Sequence, residues 1–118
     1  MGDSFMDLVV WQRAVELSTG IYRLTGSFPK SEQFGLVNQM RRASVSIASN
    51  IAEGYGRSTK GEYLLFLGHA RGSKCELQTQ LVIAKRLGFG AETSYQSAER
   101  LCADISRMLI AMMRKLSD

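Results

Sequence analysis

The sequence predicts an all-α fold, an up-down antiparallel four-helix bundle. Three observations carry that prediction. Four segments repeat apolar residues at the helical period, and none shows a convincing period of two. The connections are short and the chain holds one proline, so consecutive helices should run antiparallel. At 118 residues the chain has length for one core and one domain, 1–118.

The first helix is expected over about 7–24, stopped by Gly26 and Pro29. Leu8, Trp11, Val15, Ser18 and Tyr22 form one stripe on it, and Val10, Ala14, Leu17, Ile21 and Leu24 a second. Together they cover about 200° of the helix, whereas a bundle core needs a stripe little wider than about 100°. The surplus predicts a contact surface around Trp11, with another copy of the chain as the simplest cover.

The second helix is expected over about 32–53, starting from Ser31 as N-cap, with Gly54 in the left-handed position beyond its end. Leu36, Met40, Ala43, Ser44, Ile47, Ile51 and Gly54 share a small apolar face. Gly68 and Gly72 on the third helix make a similar step, so these two helices are expected to pack closely there. Arg42, Ser46, Ser49 and Glu53 line the opposite side. Asn50 should be buried on the side of the third helix with its amide hydrogen-bonded. Glu53 should hold Arg42, Arg57 or helix-end amides of a neighbour.

The third helix, about 60–87, opens with Thr59 and Glu62 in capping-box register and ends at Leu-Gly-Phe-Gly, 87–90. Arg71, Lys74, Gln78 and Lys85 fall within about 60° on it, a basic line without an acid. The fourth, about 94–116, opens with Thr93 and Gln96 in the same register. It carries the clearest core seam: Ala98, Leu101, Ile105, Met108 and Met112, flanked by Cys102, Leu109 and Leu116.

Composition narrows the function. The net charge is +4, and between positions 41 and 86 eight basic residues face three acidic ones. That concentration suits a polyanion. A line of Lys and Arg on a rigid helix binds phosphates by charge and counterion release, so Arg42, Arg57, Arg71, Lys74 and Lys85 are the candidate nucleic-acid contacts. Tyr55, beside Arg57, is the aromatic best placed to stack on a base. No apolar run reaches membrane-span length, and no basic-then-apolar leader opens the chain, so a cytoplasmic protein is expected. Cys75 and Cys102 are then expected as buried thiols rather than a disulfide. The single histidine, His69, has no Cys, Asp or second His near it in sequence and is expected on a helix surface or interface. No phosphate loop, dinucleotide motif or Glu-x-x-His pair is present. The expectation is therefore no enzyme, metal, cofactor or small-molecule substrate.

Trp11 and Ala14, Phe28-Pro29, Gln39 with Arg41-Arg42-Ala43, Ser46-Ile47, Asn50 to Gly54, Phe66-Leu67 with Ala70, and Gly72-Ser73 with Glu76-Leu77 form a pattern. It resembles the four-helix-bundle family named for the intervening sequences of 23S rRNA. The resemblance covers nearly the whole chain. It implies a bundle that assembles as a ring, a homopentamer. More distantly the chain resembles the accessory protein of diversity-generating retroelements, another ring of bundles that looks like a nucleic-acid partner. Two functions are thus expected in order. The first is a non-enzymatic oligomer that binds RNA or another nucleic acid through basic stripes. The second is an adaptor oligomer that binds a protein partner, with Trp11, Asn50, Glu53 and Gly54 as architecture in either case.

Overall fold

The computed structural model describes residues 4–118. Four helices fill most of them: α1 Val9–Thr25, α2 Leu36–Tyr55, α3 Lys60–Arg86 and α4 Glu92–Ser117. They pack as a rod of 44 × 24 × 24 Å in which α1 touches α2 and α4, and α3 touches α2 and α4. This is the up-down bundle that the periodicity predicts. No described helix is long and apolar enough to cross a membrane.

The helix starts differ from expectation at three places. A short 3-10 turn, Phe5–Asp7, precedes α1, and Ser4 caps it by accepting from the Met6 amide. A second 3-10 turn, Lys30–Glu32, occupies the expected start of α2. Gly35 is the N-cap instead, and the Glu32 carboxylate accepts from the Leu36 amide at 3.3 Å. α4 starts at Glu92, before Thr93. Thr59 caps α3 as expected, accepting from the Glu62 amide at 3.1 Å.

The core is built from one face of each helix. Val10, Ala14, Leu17, Ile21 and Leu24 of α1 are all buried, as are Met40, Ala43, Ile47 and Ile51 of α2 and Ala98, Cys102, Ile105 and Leu109 of α4. The other α1 stripe lies outside the core: Trp11 and Val15 are half-buried and Tyr22 is exposed. α1 therefore has the surplus apolar face its sequence predicts.

Two glycine expectations reverse. Gly54 is inside α2, and positive φ among the described residues is confined to Gly88 and Gly90. Its role is close approach: a Cβ there would stand 2.9 Å from the Phe66 Cβ and 3.3 Å from the Tyr63 carbonyl of α3. Gly68 and Gly72, in contrast, face away from α2, and a Cβ at either would meet nothing within 4 Å.

Candidate nucleic-acid interface

The five basic residues do not form one surface. Lys74 leaves the line altogether: its residue is 5% exposed, and its Nζ donates to Ser106 Oγ on α4 at 3.0 Å. No ion pair reaches it among the described residues. The cause is register. Leu67, Ala70, Lys74, Leu77, Leu81 and Ala84 recur at spacings of three and four, and all are buried, so Lys74 occupies a core position of α3 and lies out of reach of a phosphate.

Lys85 is exposed, but two acids of α4 meet it, Glu92 at 3.2 Å and Glu99 at 3.6 Å. The hydrogen bond and charge of Glu92, then the charge of Glu99, hold its pKa above the ordinary lysine value. Arg57 pairs with Glu53 at 3.5 Å and lies 4.5 Å over the Phe66 ring. This is one of the partners expected for Glu53. Tyr55 and Tyr63 meet edge to face in the same corner, 6.2 Å apart.

Arg42 and Arg71 remain outside any ion pair among the described residues. They stand on different flanks of α3. Arg71 lines a 580 Å³ groove between α3 and α4 with Ile110, Met113, Arg114, Ser117 and Asp118. Arg114 is a second unpaired arginine there, missed in the sequence because it sits forty-three positions away on another helix. Arg42 lines a 310 Å³ cleft between α2 and α3 with Asn38, Gln39, Ser46 and Glu76. Below it a polar ladder joins the helices. The Asn50 amide donates to the Ser46 carbonyl at 2.8 Å and to Ser46 Oγ at 3.0 Å, and Ser73 Oγ donates to Ser46 Oγ at 3.0 Å. Asn50 is thus half-buried and reaches α3 through Ser46.

Arg41, the neighbour of Arg42, is spent on α1. Its Nε donates to Thr25 Oγ1 at 2.9 Å, Nη2 to the Tyr22 carbonyl at 3.3 Å, and the guanidinium lies 4.5 Å over the Tyr22 ring. These contacts satisfy carbonyl and hydroxyl groups at the C-terminal end of a helix, where a cation is favoured.

His69 is exposed and meets the Phe66 ring edge-on at 5.7 Å. Lys74 and Ser106 have the spacing of a base and a hydroxyl nucleophile. Both sit within helices, where backbone N–H groups are already bonded, so no oxyanion site adjoins them. Cys102 is buried, and desolvation pushes its thiol up to about 11, against a smaller lowering by Lys74. Cys75 is exposed, contrary to expectation. Among the described residues no three His, Cys, Asp or Glu side chains gather into a metal set.

The model of the family described as 23S rRNA-intervening sequence protein matches residues 6–111. The chain belongs to that family. A solved structure of similar fold is a protein of unknown function from the S23 ribosomal protein family of Bacteroides thetaiotaomicron VPI-5482. The match has a TM-score of 0.78 and 20% identity, over 88% of this chain and 97% of that one. No curated protein matches the chain. The Arg-Arg-Ala and Asn-Ile-Ala-Glu-Gly blocks of this family member lie on α2. Arg42 and Ser46 face the cleft, Asn50 holds Ser46, Gly54 lets α3 approach, and Glu53 holds Arg57.

Proposed function

We propose that this protein is a non-enzymatic bundle that assembles into a closed ring of five copies and binds RNA through unpaired arginines. The observation that carries the RNA reading is the pair Arg71 and Arg114. They share one open groove with Asp118, and no ion pair among the described residues joins either arginine to it or to another acid. A ring would repeat the arginine pair several times and raise a modest single-site affinity by multivalency.

Two unlike apolar faces support the ring. One is a 260 Å³ groove between α1 and α2, walled by Trp11, Val15, Val45 and Ala48. The other is the outward side of α3. Gly61, Leu65, Gly68, Gly72, Cys75, Thr79 and Val82 recur there at spacings of four and three, with Leu65 57% and Val82 49% exposed. An interface between two different faces of identical subunits is head-to-tail, and such an interface gives a ring where its rotation closes and an open filament where it does not. The number five comes from the resemblance.

Light scattering at micromolar concentration should give about five times the 13.1 kDa chain; a monomer would refute the ring. Electrophoretic shifts with ribosomal RNA fragments at two salt concentrations test the rest. Arg71→Glu with Arg114→Glu should lower the log–log salt slope by somewhat under one unit for each arginine and leave the oligomer intact. RNA binding by the parent at low salt with no loss in the double variant would refute the groove. No binding by the parent would favour the adaptor reading, in which the oligomer receives a protein partner and the arginines serve solubility.

A further inference from the structure

We infer that the cleft between α2 and α3 is a base-reading site, shaped by its charges for a guanine of single-stranded RNA; the inference rests on the RNA reading above. The cleft, at 310 Å³, lies at the small end of ligand-pocket sizes. Arg42 and Glu76 both line it, yet they do not pair with each other, and no other ion pair among the described residues uses either. A cation and a carboxylate sharing one cleft without meeting leave both free for a ligand that spans them.

The carboxylate is held in place from behind. Glu76 Oε2 accepts from Gln80 Nε2 at 3.4 Å. Gln80 itself is 5% exposed, and its Oε1 is buried with no hydrogen-bond partner. Beside Glu76 there is thus one buried acceptor among the described residues, Gln80 Oε1, left without a donor, which is costly. Its floor is already fixed, since Ser46 Oγ is engaged by Ser73 and Asn50. The ligand that fits must bring N–H donors to Glu76 and negative charge or a carbonyl oxygen to Arg42. Asn38 and Gln39 on the α2 wall can both donate and accept.

Among the RNA bases this requirement is selective. A carboxylate accepts two parallel N–H bonds most favourably. Guanine presents two adjacent donors, N1–H and the N2 amino group. Adenine and cytosine place a ring acceptor beside their amino group, which would oppose the carboxylate. Uracil has one N–H between two carbonyl oxygens. Proteins read single-stranded RNA in this way, through the Watson–Crick edges of splayed-out bases. Arg42 then takes the guanine O6.

The test uses the full chain in its native assembly and three fluorescent oligomers of about ten nucleotides. One is all uridine, one carries a single central guanosine, and one carries inosine there, which lacks the N2 amino group. The guanosine oligomer should bind roughly ten-fold tighter than the uridine one, and inosine should lose most of that gain. Glu76→Gln should erase the guanosine preference and leave uridine binding unchanged. Arg42→Ala should weaken the guanosine oligomer more than the uridine one. Equal binding of all three by the parent would overturn the base-reading site while leaving the RNA reading standing. If no oligomer binds, a calorimetric titration with guanosine monophosphate decides. Saturable binding that Glu76→Gln abolishes keeps the pocket, and its absence overturns it.

Discussion

Replacing Gly54 by alanine isolates the closest contact in the bundle, provided it is compared with Gly20→Ala. Both glycines lie inside helices, and neither has a positive φ. Gly20→Ala therefore gains about 1 kcal/mol of helix propensity, and Gly54→Ala, one residue from the end of α2, no more than that. A Cβ at Gly20 meets nothing within 4 Å, so that gain appears undiminished. At Gly54 the same Cβ lands 2.9 Å from the Phe66 Cβ, 3.0 Å from Tyr63 Cδ1 and 3.3 Å from the Tyr63 carbonyl. A Cβ and a backbone oxygen cannot swing aside as a side-chain tip can, so α3 itself must back away. Overpacking of this kind costs about 1–3 kcal/mol. With the propensity gain at Gly54 no larger than at Gly20, Gly54→Ala should melt at least roughly 4–12 °C below Gly20→Ala for a chain of this size. Thermal unfolding followed at 222 nm, at one fixed protomer concentration, measures it. Equal melting temperatures would show that α3 does not approach α2 as described.

Lys74→Met should raise the urea midpoint, because it replaces a buried ammonium that has one hydroxyl partner with an apolar chain of similar length. Lys74→Glu should unfold the protein rather than act on RNA binding alone, as circular dichroism would reveal. A thiol reagent at pH 8 should label Cys75 when the assembly is diluted to monomers but not in the ring, and should reach Cys102 only in denaturant. Because burial raises the Cys102 pKa from 9.0 to about 11, the thiolate favours the unfolded chain. The associated stability should be full below pH 9 and decline by up to about 2 kcal/mol as pH rises to 11, a decline that Cys102→Ala should remove from a stability–pH profile. Thr59→Ala should cost about 1 kcal/mol through loss of the α3 cap, read from the same urea curves.

Helix number and order were legible from periodicity, as was the buried side of α2; on α4 the buried line runs through Cys102 and Leu109, one position round from the expected Leu101 and Met108, which are half-buried. Cap identity was legible only at Thr59, where the hydroxyl had no rival. At Ser31 the chain spends three residues in a 3-10 turn before Gly35, and side-chain type could not show that. Lys74 shows how a charge can conceal a position. Its spacing from Leu67, Ala70, Leu77 and Leu81 is that of a core seam, and attention to its ammonium moved it to the surface. The arginine pair of the candidate site was half legible: Arg71 stood in a visible line, but Arg114 joins it only through the packing of α4 on α3. The glycines of α3 were misplaced because a small residue fits equally well against a neighbour inside the bundle or in an open face.

The serine and asparagine ladder between α2 and α3 has a mechanical consequence. Ser46 bonds Ser73 near the middle of the pair, while Gly54 seats Phe66 and Tyr63 near one end. Sliding one helix past the other by a turn would break the hydroxyl bond and drive side-chain atoms into the glycine notch together. The two constraints, about two helical turns apart along α2, make α2 and α3 a single stiff body. Slow breathing of the molecule must then occur where α1 and α4 lean on that body, and backbone amides of α2 and α3 around Ser46 and Leu77 should be the last to exchange with deuterium. A ligand in the α2–α3 cleft would grip the part of the protein that does not move.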